Sequence, residues 1–374
     1  MSHRIVPARL GTVLCLLVVV SASAMADMQQ PRPSLPASAD SANDSTLAPR
    51  ADFATQNSLV GEDSGDLAGP AGSVVEVLTT SALPDGQVHA QTVVAQADQG
   101  PEATEADPEP AAVPPVIHND YAEAMREAVE DRKMLFIFFC ESTPDAATRA
   151  FDQLTLSDPG IQEQLKRFVV ARLPRDARIT VSGEPVTLLE HPAFAEMHGR
   201  QGVAIIDLAH ARSEYYGHVV STFPFTAGKF YRKQALSIIL DLPPGTLTQR
   251  TMIYAVRIHP EAPASTQGHF HTVLADEAKH QSDHQAAILL QGHHSWDTRF
   301  HRISSKLGGA LAEEVVAESW PNETLVEACV DCVHSWRQSP GHWGAVRSRH
   351  PLFGYDIKRG RNGIWYATGI FGRR

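Results

Sequence analysis

The sequence predicts an α/β domain over residues 116–241 followed by an α+β domain over 246–374, with an export leader and an acidic segment ahead of them. Three observations predict this. Short apolar runs alternate with helical patterns up to Leu242. Beyond the Pro243-Pro244-Gly245 punctuation, helical patterns come first and a hairpin pattern closes the chain. Before Val116, composition shifts to Ala, Pro, Ser, Asp and Gly, as in "PRPSLPASADSANDSTLAPR".

The leader is read over residues 1–26. His3, Arg4 and Arg9 make a positive opening, "LGTVLCLLVVV" is an apolar core too short for a comfortable span, and small residues precede a cleavage point after Ala26. An uncleaved anchor is the alternative. No later run has spanning length, so no stable transmembrane segment is expected after cleavage, and the expected location is periplasmic or secreted. Residues 27–115 hold fourteen acidic residues and two basic ones. They bury too little apolar area to offset ordering entropy and are expected to be a disordered tether. The overall charge of −11 is concentrated there, which leaves the remainder nearly neutral. A nucleic-acid partner is therefore excluded. Three cysteines remain after Cys15, too few for a disulfide scaffold.

Element by element, "NDYAEAMREAVEDRK" places Tyr121, Met125, Ala128 and Val129 on one helical face, with Asn119 or Asp120 as cap. "MLFIFF" is a continuous apolar run suited to a strand buried on both faces. "PGIQEQLKRF" reads as helix and "FVVARL" as strand. "HPAFAEMHGR" reads as a short helix, "GVAIIDL" as strand, "YYGHVV" as its neighbour and "GKFYRKQALSIILDL" as helix. In the second domain, "TVLADEAKHQSDHQAAILLQG" reads as a helix closed by Gly292. "NETLVEACVDCVHSWRQS" reads as a helix capped by Asn322, with Leu325, Cys329, Cys332, Val333 and Trp336 as its apolar stripe. "PLFGYDI" and "GIWYATGIF" are two strands joined by "KRGRNG".

Two resemblances follow. The order of helix, then "LFIFFCESTPDAATRAF", resembles the thioredoxin-like fold. That family's Cys-x-x-Cys would fall on "TPDA", where Thr143 and Ala146 stand in place of thiols. Its later proline is replaced by Gly202 and Val203, so the domain is expected to lack dithiol chemistry. Cys140 is expected to be buried at the strand end. The second resemblance joins "SWRQSPGHW" with "FGYDIKRGRNGIWYATGIFG", "AEEVVAESW" and "LQGHHSW". Together these resemble a bacterial CAP domain, the superfamily of cysteine-rich secretory proteins, antigen-5 and plant pathogenesis-related proteins.

The CAP resemblance implies a three-layer α-β-α sandwich with a cleft lined by His293, Glu314 and His342, and by His294 as rival to its neighbour. Trp343 is a further cleft candidate. Ser339 stands where larger members carry a second glutamate. The implied ligand is an unidentified lipid, sterol, carbohydrate or protein of the envelope or the exterior. No cofactor is required, although His293 and His342 can share a weakly bound divalent cation such as zinc. The alternative is a structural network in which the same residues only join helix to sheet.

The leading expectation for function is a non-catalytic binding protein. The alternatives are a metal-dependent hydrolase of peptidase type using the His/Glu cleft, and a thiol redox protein. Ser295 and Ser339 lack a Gly-x-Ser-x-Gly elbow. Cys329 and Cys332 have redox spacing but fall inside a helix on its apolar stripe. His280 and His284 lack the Glu of His-Glu-x-x-His, and His269 and His271 read as strand or loop decoration.

Overall fold

A computed structural model of the chain describes residues 116–373, apart from 182 and 227. The expected leader and the acidic segment 27–115 lie outside those residues.

The described residues have mixed α/β content. Strand β1 (Ile117–His118) passes through helix α1 (Tyr121–Asp131) into β2 (Met134–Cys140). Asp120 caps α1 by accepting the Glu123 N–H at 2.8 Å. Leu135 to Phe139 are buried on both faces of β2, as a run without polar alternation requires. Helices α2 (Ala146–Phe151) and α3 (Pro159–Leu165) lead to β3 (Phe168–Pro174). Two strands that the sequence reading did not anticipate, β4 (Arg178–Val181) and β5 (Glu184–Thr187), form a separate ribbon. "HPAFAEM" winds as 3-10 helix over Pro192–Met197. Then come β6 (Gly202–Ile206), β7 (Val219–Pro224) and α4 (Lys233–Leu240).

The sheet order is β1-β3-β2-β6-β7, with the first three strands parallel and the last two antiparallel. Gly202 begins β6 at φ 145°, where a Cβ would sit 2.3 Å from the Phe223 carbonyl oxygen. Only glycine fits that approach.

The second half begins with α5 (Leu247–Ile258), which the sequence reading missed. Its residues Gln249 to Val256 are all buried, the polar Gln249, Arg250 and Thr251 included. β8 (His269–Phe270), α6 (Thr272–Ile288), α7 (Trp296–Lys306) and β9 (Leu311–Glu318) follow. Next are α8 (Leu325–Gln338), α9 (Pro340–Arg347), β10 (Leu352–Arg359) and β11 (Trp365–Arg373). Their sheet runs β8-β10-β11-β9, and the expected hairpin pairs β10 with β11 from Leu352↔Gly372 to Arg359↔Trp365. Alternate residues face opposite sides. Phe353, Tyr355, Ala367 and Phe371 share a core with α5, α8 and α9, while Ile370 packs with Leu274 of α6 and Ile303 of α7.

Two local expectations are corrected. Thr324, not Asn322, caps α8, through a reciprocal capping box with Glu327. Asn322 adopts a left-handed backbone, φ 66°, with its N–H tied to the Gly363 carbonyl. Helix α6 ends earlier than Gly292, at a left-handed Leu289. Helix α9 follows α8 after Ser339 alone. Pro340 occupies the first turn of α9, where a missing N–H costs nothing.

One apolar core runs across residues 241–246. Tyr254 of α5 meets Phe223 of β7 edge-on at 4.7 Å, and α5 also packs on α8 and β10. Arg250 of α5, 1% exposed, donates from Nε to Ser221 Oγ at 2.9 Å and from Nη1 to the carbonyls of Leu242 and Pro243 at 3.0 and 2.8 Å. These charge-assisted bonds join β7 and the connecting segment to the second sheet.

Candidate functional site

Three elements bring the site together. His293 lies in the connection between α6 and α7. Gln281 Nε2 donates to the Gly292 carbonyl at 2.6 Å, and the Gly292 N–H donates to Gln285 Oε1 at 3.0 Å. These two glutamine contacts from buried α6 positions fix the connection. Glu314 sits in β9 opposite Ile370 of β11. His342 lies in the first turn of α9, whose cap Ser339 accepts the His342 N–H at 3.5 Å.

The side chains form a chain of contacts. His293 Nδ1 is 2.9 Å from Glu314 Oε1, and its Nε2 is 3.4 Å from His342 Nε2. The imidazole rings are 5.6 Å apart and tilted by 48°. The Glu314 side chain is 1% exposed, whereas that of His293 is 43% exposed. The site is therefore buried at its carboxylate end and open at its imidazole end. Burial, followed by the neighbouring His293, lowers the His342 pKa below the ordinary histidine value.

Arg299 is the residue that the sequence reading missed. From α7 its Nη2 pairs with Glu314 Oε2, and its Nη1 donates to Oε1 at 3.2 Å and to the His294 carbonyl at 3.3 Å. Its guanidinium carbon lies 5.3 Å from the Trp296 ring centroid. The one available signal was physical: a carboxylate expected inside a sandwich needs a cation beside it.

The carboxylate settles the chemistry of His293. A carboxylate only accepts hydrogen bonds, so Nδ1 carries a proton, and in the neutral tautomer this leaves the Nε2 lone pair pointing outward. Two lone pairs cannot face each other without a proton or cation between them. His342 supplies that proton as its Nε2–H tautomer, or a cation takes its place. Two nitrogens bound to zinc at about 2.0–2.1 Å in tetrahedral geometry stand roughly 3.4 Å apart, so the spacing fits a shared ion. Among the described residues no group of three or more His, Cys, Asp and Glu side chains is placed to hold a metal. The pair therefore offers two protein ligands and leaves the remaining positions to water or a guest.

The other candidates lie elsewhere. His294 turns its Nε2 to the Leu290 carbonyl at 3.1 Å, and its ring packs on His284 at 5.3 Å. Trp343 is 5% exposed, bonded through Nε1 to Glu261 at 3.1 Å and packed on His259. Adjacent helical residues point about 100° apart, which separates it from His342. Ser295 takes a left-handed backbone at the start of α7, and Ser339 spends its hydroxyl on the cap of α9. Cys329 and Cys332 are fully buried, and burial raises the Cys329 thiol well above its ordinary value. Cys140 is buried at the end of β2, with its thiol also pushed up by burial, and α2 starts from an Asp145 cap with no thiol at its first turn.

No protein-family model and no curated protein matches the chain. Among solved structures, the chain is similar to an outer surface protein from Borrelia burgdorferi at 19% identity, with a TM-score of 0.25, over 29% of this chain and 77% of that one. Among the described residues no helix is long and apolar enough to cross a membrane.

Proposed function

We propose that the chain is an exported binding protein whose His293–His342 pair takes a divalent cation, or a small guest held through one, without turnover. The observation that carries this reading is the outward Nε2 of His293, oriented by Glu314 and facing His342 Nε2 at 3.4 Å. A carboxylate that accepts from the far ring N–H commonly orients a metal-bound imidazole. With only two protein ligands the affinity is modest and binding is reversible. Export rests on residues 1–26.

The fold supports this reading. The order β1-β3-β2-β6-β7, with β6 and β7 antiparallel, supports a thioredoxin-like first half, and a first turn of α2 without thiols supports a scaffold without dithiol exchange. A four-stranded sheet with helices on both faces and a histidine from the Ser-Pro-Gly-His turn supports a CAP-like second half. Hydrolysis needs a carboxylate free to take a proton from water, and Glu314 has both oxygens engaged. Redox exchange needs an accessible thiolate, and Cys140, Cys329 and Cys332 are buried.

Zinc titration by calorimetry tests the proposal. Wild type binds one equivalent weakly and loses affinity as falling pH protonates the imidazoles. His293→Ala and His342→Ala each weaken binding by at least about tenfold. Equal weak binding in all three proteins removes the site. Turnover on a peptide and ester panel that Glu314→Ala abolishes replaces the binding role with a catalytic one.

A further inference from the structure

We propose that the groove where helices α3, α4 and α5 meet the segment 262–268 binds a small hydroxylated carboxylate of the sugar-acid class. Gln164, Ser237, Asp241, Arg257, Thr266 and Gln267 line it. Its volume is about 550 Å³, inside the range of roughly 300–1,000 Å³ usual for small-molecule sites. It shares no residue with the His293–His342 pair and does not rest on the reading of that pair as a cation site.

The walls come from both halves of the chain. Gln164 lies in α3, Ser237 in α4 and Arg257 in the last turn of α5. The segment 262–268 is tied to the end of α9, where the Ala264 N–H donates to the Arg347 carbonyl at 3.2 Å and the Ser265 N–H to the Val346 carbonyl at 3.1 Å. Ser265 Oγ is 2.7 Å from the buried Tyr355 hydroxyl. A Cβ on Gly268 would sit 2.0 Å from the His350 carbonyl oxygen, so this segment lies hard against the chain behind it. The groove therefore stands formed before a guest enters, and little ordering opposes binding.

Uncommitted polar groups define the guest. Asp241 is the one carboxylate among the lining residues, and two guanidiniums share it at loose distances, Arg257 Nη1 at 3.6 Å and Arg167 Nη1 at 3.8 Å. One positive charge is left over. Arg257, whose side chain is 23% exposed, donates from Nη1 to the Asp241 carbonyl at 2.9 Å, while its Nε and Nη2 make no hydrogen bond among the described residues. Burial works against its charge, yet a guanidinium keeps its proton, so a second carboxylate is its complement. The neutral groups ask for something else. The side chains of Thr266, 5% exposed, and Gln267 make no hydrogen bond among the described residues. Gln164 is half satisfied, with Nε2 donating to Ser237 Oγ at 3.0 Å and Oε1 buried without a partner. A hydroxyl and an amide each offer both donor and acceptor, and ligand hydroxyls answer both. Ile238 and Pro263 add apolar surface for the C–H face of a sugar ring. A guest that joins a carboxylate to several hydroxyls meets all of these groups. A neutral sugar leaves Arg257 unpaired, and a bare carboxylate leaves Thr266 and the amides.

The experiment is calorimetric titration of the full chain with glucuronate, glucose and acetate, each alone. A chelator is present, so that no metal held elsewhere takes the carboxylate. Wild type is expected to bind glucuronate at least about tenfold more tightly than either glucose or acetate. Arg257→Gln removes the charge while an amide N–H can still reach the Asp241 carbonyl, and it weakens glucuronate by at least about tenfold, to the level of glucose. Thr266→Val keeps the shape but not the hydroxyl, and it weakens glucuronate by about threefold or more and narrows its lead over acetate. Circular dichroism checks folding, and Thr266→Val carries the comparison if Arg257→Gln does not fold. Wild type that fails to bind glucuronate, or that binds acetate or glucose as tightly, overturns the proposal, as does a folded variant that keeps the wild-type affinity. None of these results bears on the His293–His342 pair, which the zinc titration tests separately.

Discussion

Replacing Asp356 with Asn should stabilise the protein at neutral pH. Asp356 lies in β10, 3% exposed, and burial raises its carboxyl from an ordinary 3.8 to about 7 against the pull of hydrogen bonds from Thr248 and the Ile357 N–H. The direction of the pH effect follows from linkage. A carboxyl that holds its proton more tightly in the fold contributes fully below pH 3.8. That contribution is lost as pH rises from there to about 7, because the unfolded chain ionises first. At about 1.4 kcal/mol per pH unit, the whole loss is about 4 kcal/mol.

Asn is neutral at every pH and its Oδ1 can keep the 2.8 Å bond from the Ile357 N–H. An amide N–H left without a partner takes back roughly 1–2 kcal/mol, so the expected net gain above pH 7 is about 2–3 kcal/mol. The assay is urea unfolding of wild type and Asp356→Asn at several pH values between about 4 and 8. The two proteins should be furthest apart at the alkaline end, and the advantage of Asn should vanish or reverse toward pH 4. Glu323, also raised to about 7 by burial and by Asp331, adds to the wild-type slope but is common to both chains and cancels in the difference. A stability difference that does not change with pH, or an Asn variant less stable at pH 8, would refute the reasoning.

Other perturbations have equally definite outcomes. Gly354→Ala puts a Cβ 2.2 Å from the Ala275 nitrogen and 2.4 Å from the Leu274 carbonyl carbon. Helix α6 must then move off the sheet, at a cost of about 3 kcal/mol or more, read as a lowered urea midpoint. A wild-type midpoint would mean that α6 yields without cost. Cys140, Cys329 and Cys332 should stay unmodified by a thiol reagent in the native protein and react together in urea, because burial holds all three away from solvent. Fast native labelling of Cys329 or Cys332 would restore the redox alternative.

Much of the fold was legible because it is written locally. α1 shows its Asp120 cap, β2 its unbroken apolar run, and α8 a stripe from Leu325 to Trp336 that is buried as read. The hairpin of β10 and β11 follows from two alternating runs and a Gly-rich turn. Helix α5 was passed over although its start carries a local signal, the Thr246–Gln249 capping box, directly after the Pro-Pro-Gly punctuation.

The candidate site divides in the same way. Sequence alone put forward His293, Glu314 and His342 as one cluster, through the CAP resemblance, and the structure brings them together. Only the tertiary structure chose His293 over His294, turned Trp343 away toward Glu261, and set Arg299 against Glu314. Those partners are 15 to 82 residues apart in the chain. Side-chain periodicity reports which face of an element is buried. Which residues meet across elements depends on strand register and helix packing, and one residue of slip in β9 would turn Glu314 to the opposite side of its sheet.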